Sequence, residues 1–201
     1  FETSVVTNSV ALHPMIFDVQ KDGKNDIVVV DDYNDAEGND AMNVKTIAWF
    51  SYQGKAGGEG YRSHVIAEIN YRSCGIASAD IDRDGYTDIV GRYDTDGKDM
   101  NETGNLFWLK NPYGSKTGNP GPWEKTDIGF STYAKDIVTT DFDNDGKTDI
   151  VARGVDELLR VYMQTSPTRW RVIEIQSPHH DGTDVADIDQ DGDPDIVING
   201  L

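Results

Sequence analysis

The chain has 201 residues, with 36 acidic side chains against 18 basic ones and a formal net charge of -18. So acidic a surface excludes a reader of the nucleic-acid backbone or a binder of anionic membranes, each of which needs Lys and Arg facing its partner, and no apolar run approaches the roughly 18 residues of a membrane span. Hydrophobic residues make up 37% and aromatics 9%, enough to fill the core of one ordered domain.

Taken in chain order, a short apolar segment opens at Phe1 and carries Val6. An acidic segment follows, Asp18-Val-Gln20-Lys-Asp22-Gly23-Lys-Asn-Asp26, and runs straight into Ile27-Val28. Next come the aromatic stretch 47–50 (Ile-Ala-Trp-Phe) and a segment begun by Tyr61 that carries Ile66. The succession then recurs. Asp80-Ile-Asp82-Arg-Asp84-Gly85-Tyr-Thr-Asp88 leads into Ile89-Val90, the stretch 106–109, then Trp123 and Ile128. Asp141-Phe-Asp143-Asn-Asp145-Gly146-Lys-Thr-Asp149 leads into Ile150-Val151, the stretch 158–163, then Trp170 and Ile175. A fourth copy, Asp187-Ile-Asp189-Gln-Asp191-Gly192-Asp-Pro-Asp195, enters Ile196-Val197 near the end.

The copies begin at 18, 80, 141 and 187, in steps of 62, 61 and 46 residues, which signifies a fixed core with variable loops. The aromatics at 1, 61, 123 and 170 precede the first Asp of each copy by 17, 19, 18 and 17 residues and confirm the register. The intervening stretches favour strands, and none keeps a helical period. Each unit therefore reads as four short strands: one entering the acidic loop, one leaving it, the aromatic stretch, and the strand begun by the aromatic landmark. That is the content of one β-propeller blade. The expectation is an all-β chain of four-stranded antiparallel blades. Residues 1–9 form the last strand of a preceding blade, 10–69, 70–130 and 131–177 are complete blades, and 178–201 is the first hairpin of another. Such a chain is part of a larger ring, closes a ring with other copies, or stacks into a fibre through open strand edges.

The spacing of the acidic loop carries its chemistry. Carboxylates at positions 1, 3, 5 and 9 converge on one point, position 7 adds a backbone carbonyl, and Gly at position 6 permits the reversal. Hard oxygen donors without His or Cys select Ca²⁺. An EF-hand would need a bidentate Glu at position 12, but Val29, Gly91, Ala152 and Ile198 stand there. A solvated turn would explain one such cluster, but not four in register. The expected ligands are Asp18, Gln20, Asp22 and Asp26; Asp80, Asp82, Asp84 and Asp88; Asp141, Asp143, Asp145 and Asp149; and Asp187, Asp189, Asp191 and Asp195. Gln20 lacks the charge of its counterparts, so up to four sites are expected, the first weakest.

These loops, each followed by Ile-Val, resemble the calcium-binding FG-GAP/VCBS repeats of integrin-type β-propellers, and the resemblance covers essentially the whole chain. It implies blades about a central axis, calcium loops between the first two strands of each blade, and an extracellular or cell-surface setting. Ligands in such propellers meet the face opposite the calcium loops. Here that face is expected to hold the insertions 31–46 and 91–105 and the connections with His13, Tyr71, Arg72, Tyr133, Lys135, His179 and His180. Such propellers serve as adhesion modules, lectins and scaffolds of polysaccharide-degrading enzymes; the expectation here is a non-catalytic module for adhesion, carbohydrate binding or structural assembly with a glycan or protein ligand, no nucleic acid and no membrane span. Tyr33, Tyr93 and Tyr113 are candidates to stack on sugars, and Asp94-Thr-Asp96-Gly-Lys-Asp99 is a candidate for further calcium.

The alternative is the scaffold of a polysaccharide lyase, in which His179, His180, Tyr133 and Arg72 supply base and carboxylate neutralisation for β-elimination on acidic glycans. Adjacent His residues before a turn are also an ordinary polar loop. The lone Cys74 excludes an intramolecular disulfide framework, and Asn101-Glu-Thr103 is a glycosylation sequon. Phe1 follows no Met or signal-peptide pattern, which suggests a processed secreted chain or a segment of something longer.

Overall fold

A computed structural model describes residues 10–32, 44–54, 60–70, 75–94, 104–114, 121–132, 134–177 and 182–199. They form three four-stranded antiparallel sheets and a hairpin. The first sheet is β1 (Val10–Phe17), β2 (Asp26–Asp32), β3 (Val44–Tyr52) and β4 (Tyr61–Asn70), side by side in chain order. The second repeats that order with β5 (Ile76–Ala79), β6 (Asp88–Asp94), β7 (Gly104–Lys110) and β8 (Glu124–Ser131). The third does so with β9 (Ala134–Thr140), β10 (Asp149–Gly154), β11 (Leu158–Ser166) and β12 (Arg169–Gln176). The hairpin pairs β13 (Thr183–Ala186) with β14 (Asp195–Ile198). The first strands touch in series, β1 on β5, β5 on β9 and β9 on β13, as blades set about a common axis require.

The second and third strands have near-continuous apolar runs because both faces of a blade are covered. Pleating sends successive residues to opposite sides. In β6 and β7, Ile89, Phe107 and Leu109 pack with Val28, Ile47 and Trp49 of the first blade. Their neighbours Val90, Leu106 and Trp108 turn the other way, onto Ile137, Ile150 and Tyr162 of the third blade. Val151, Leu159, Val161 and Met163 in turn meet Val185 and Ile196 of the hairpin. The core is therefore a series of layers between blades. Each fully buried large side chain in such a layer contributes roughly 1.5–3 kcal/mol.

Polar bonds lock the same interfaces. Two residues beyond Leu109 and Tyr162, the third-strand partners of Ile89 and Ile150, stand Asn111 in the second blade and Gln164 in the third, both buried. The Asn111 amide donates to the Val19 carbonyl of the first acidic loop at 3.0 Å, and the Gln164 amide donates to the Ile81 carbonyl of the second at 2.9 Å. Arg153, fully buried, donates to the carbonyls of Gly182 and Asn199 on the hairpin at 3.2 and 3.3 Å. Replacing Gln164 by Met keeps its bulk but leaves the Ile81 carbonyl without its amide donor. The expected loss, read by urea unfolding, is about 1–3 kcal/mol.

Candidate metal sites in the acidic loops

Each acidic loop joins the first strand of a blade to the second, and all four share one backbone conformation. The fourth residue is left-handed in every copy, with φ of 58° at Lys21, 59° at Arg83, 55° at Asn144 and 63° at Gln190. The Gly two residues later has φ of 86°, 90°, 80° and 100° at Gly23, Gly85, Gly146 and Gly192, a region costly for any residue with a Cβ.

Repeated hydrogen bonds explain that path. The first Asp accepts the N–H of Gly at position 6 on one oxygen, at 2.7 Å for Asp18, 2.8 Å for Asp80 and Asp141, and 3.2 Å for Asp187. In the first three loops its other oxygen takes the N–H of position 5, at 3.0 to 3.1 Å. Position 5 accepts the N–H of position 7 in all four, at 2.8 to 3.0 Å.

The ninth residue does most to fix the loop in the blade. Asp26, Asp88 and Asp149 are 2%, 0% and 1% exposed. One oxygen accepts the N–H of position 2, from Val19, Ile81, Phe142 and, in the fourth loop, Ile188, at 2.9 to 3.1 Å. The other accepts a third-strand N–H, from Asn111 to Asp88 and from Gln164 to Asp149, each at 2.7 Å. The Tyr52 N–H does the same for Asp26.

In three loops, carboxylate oxygens from positions 1, 3 and 9 lie within 4.8 Å of one another: Asp80, Asp82 and Asp88; Asp141, Asp143 and Asp149; and Asp187, Asp189 and Asp195. A carboxylate oxygen that accepts one N–H still has a lone pair for a cation. Such an all-oxygen set suits a hard cation. The first loop has the same backbone, with Gln20 at position 3. Burial without a cation makes this charge costly. It pushes the Asp88 carboxyl up to about 7, against the opposing pull of its N–H bonds from Asn111 and Ile81. Burial raises Asp26 and Asp149 as well.

Three lysines already reach into this charge, and one of them, Lys24 at position 7 of the first loop, lies 3.7 Å from Asp22. Lys147 at position 7 of the third loop pairs with Asp145. Lys110 comes from outside its loop: its ammonium, carried on β7, bonds Asp82 and lies 2.9 Å from Asp84. Burial opposes the Lys110 charge, but these bonds raise its pKa above the ordinary lysine range. A cation thus fits between positions 3 and 5. Adjacent loops also touch through position 4. The Lys21 ammonium lies 4.6 Å from the centre of the Tyr86 ring, and Asn144 donates to Asp193 at 2.8 Å.

Of the residues proposed for ligand binding or catalysis, Tyr33, Tyr71, Arg72, Tyr133, His179 and His180 fall outside the described residues, as do Cys74 and Asn101 and positions 95–99 of the extra acidic cluster. Lys135 lies in β9, not in a connection. His13 lies inside β1, exposed at a bulge with φ of 47°. Two of the expected loop aromatics are engaged in packing. Tyr93 donates to Asp127 at 3.1 Å and lies under the Lys125 ammonium, 4.0 Å from ring centre. Tyr113 meets Trp49 edge-on at 6.4 Å in the layer between the first two blades. The sequence reading missed Asn111, Gln164 and Lys110, whose types do not recur from blade to blade.

Fold and loops together define a β-propeller-type repeat module whose blades carry acidic, metal-compatible hairpin loops. The description FG-GAP-like repeat matches residues 18–91 and 141–198, roughly two thirds of the chain, and the protein belongs to that family. The two matched stretches contain all four acidic loops. No curated protein matches the chain. Among the described residues no helix is long and apolar enough to cross a membrane.

Asp88 sets a pH dependence whose sign follows from its raised value. Its folded-state pKa of about 7 lies above the ordinary 3.8, so the protonated form favours folding. That contribution is complete below about pH 4 and is lost as pH rises through 7. In chelator, unfolding free energy should fall over this window by on the order of 3–4 kcal/mol, and Asp88→Asn should flatten the slope. Denaturant titrations of both proteins at stepped pH check this.

Proposed function

We propose that the chain is a calcium-stabilised, extracellular, non-catalytic β-propeller module for adhesion, carbohydrate binding or structural assembly, and that its ions are structural. The observation that carries this reading is the ninth-position Asp. A carboxylate that is almost wholly buried and bonded both to its own loop and to the residue that follows the third strand is built into the blade, and a cation beside it stabilises the folded chain directly. Calcium is the cation that best suits flexible, carboxylate-rich oxygen loops, since magnesium retains more of its water and takes fewer carboxylates. The reading includes an extracellular setting because calcium near 1 mM there would fill sites of millimolar to submillimolar affinity. The ligand would meet the face away from the loops. The residues of the lyase alternative, Arg72, Tyr133, His179 and His180, lie outside the described residues.

At about 1 mM calcium, a site with a Kd near 0.1 mM contributes about 1.4 kcal/mol of stability, so three or four sites contribute roughly 4–6 kcal/mol. For a chain of this size, the melting temperature in excess calcium should exceed that in chelator by roughly 10–20 °C. Equal melting temperatures would refute a structural role. A glycan array probed with and without calcium tests the binding role, and a calcium-dependent hit is the expected outcome.

A further inference from the structure

The register of the blades isolates one residue that breaks the repeat. Phe50, Leu109 and Tyr162 are equivalent, since they pair with Ile27, Ile89 and Ile150 directly after each acidic loop. The next residue along the third strand is Ser51 in the first blade, Lys110 in the second and Met163 in the third. Ser51 bonds within its own sheet, to His64 and Gln53, and Met163 packs toward the hairpin. Of these three residues Lys110 alone brings a cation to its loop, and it bonds both Asp82 and Asp84, whereas Lys24 and Lys147, at position 7 of their own loops, each pair with position 5 alone.

We propose that Lys110 is a built-in counter-ion that occupies the cation position of the second acidic loop, so that this loop holds its shape without metal and is the weakest calcium site of the four. Lys110 holds Asp82, which belongs to the convergent oxygen group of this loop, together with the adjoining Asp84, so its ammonium competes with a calcium ion for Asp82. Covalent attachment gives Lys110 a high effective concentration at the loop, which a free ion must overcome. The ammonium carries one positive charge where calcium would carry two, so it neutralises less of the loop's four carboxylates but needs no dissolved ion. The Pro112–Gly114 turn limits access further, because a Cβ at Gly114 would collide with the Asp84 carboxylate. The weakest site is thus the complete second loop, not the first loop with Gln20. This inference rests on the calcium reading of the loops, and its test separates the two.

Calorimetric titration of the metal-free chain with calcium compares the parent with Lys110→Met, Lys110→Arg and the double variant Lys110→Met with Asp82→Asn. Lys110→Met should bind one more calcium ion than the parent, or bind at the second loop roughly tenfold more tightly. The gain should be absent in Lys110→Arg, which keeps the cation, and should vanish in the double variant. In chelator, Lys110→Met should melt below the parent, and saturating calcium should close the gap. If Lys110→Met fails to fold in chelator, Lys110→Gln, which removes the charge but keeps an amide donor, takes its place. Equal stoichiometry and affinity in the parent and the uncharged variant overturn the inference while leaving calcium binding by the other loops intact. No binding by either protein overturns both the inference and the calcium reading.

Discussion

The carboxylate that closes the acidic loop in the second and third blades receives an N–H from the start of the loop on one oxygen and, on the other, an N–H from the end region of the third strand. One side chain thereby spans three segments that are distant in sequence and fixes the loop's height on the sheet. The residue whose N–H completes this bond in the second and third blades also sends its amide into the loop of the preceding blade. The bond within a blade and the bond between blades thus share Asn111 or Gln164. A disturbance of one loop is felt in the next layer of the core, because position 2 of the loop, Val19 or Ile81, is itself buried in that layer.

This arrangement places negative charge where water does not reach. A neutral core would not need compensation, but a buried carboxylate surrounded by others does. The N–H groups of the loop supply part of it, but burial, with Asp82 and Asp84 close by, still raises the Asp88 carboxyl. Two kinds of positive charge can supply the rest, a bound ion or a lysine, and in the second loop Lys110 reaches both Asp82 and Asp84. The fully buried Arg153 has a different task, joining the third blade to the hairpin through backbone carbonyls.

The sequence made the loops, the strand order and the blade repeat legible because each depends on a periodic pattern: Asp at alternate positions, Gly at the sixth, and β-branched residues immediately after. The family match and the three sheets bear that reading out. The double role of the ninth Asp was not legible, since a ligand Asp and a buried staple look the same in one dimension. Asn111 and Gln164 differ in type, and Lys110 is separated from Asp82 by 28 positions, so no local pattern links them. Tyr93 and Tyr113 read as loop aromatics because they stand among Gly, Asp and Asn, but strand register carries one onto β8's Asp127 and a turn folds the other onto Trp49.

The central claim is that the loops are cation cages whose charge the blades require, with one cage closed by the protein's own lysine. The most direct measurement is a crystal structure grown in calcium, with anomalous scattering used to locate the ions. The account predicts peaks enclosed by the carboxylates and the position 7 carbonyl of the first, third and fourth loops, with the Lys110 ammonium in the second. Loops that keep the hydrogen bonds described above with no peak among them would contradict it.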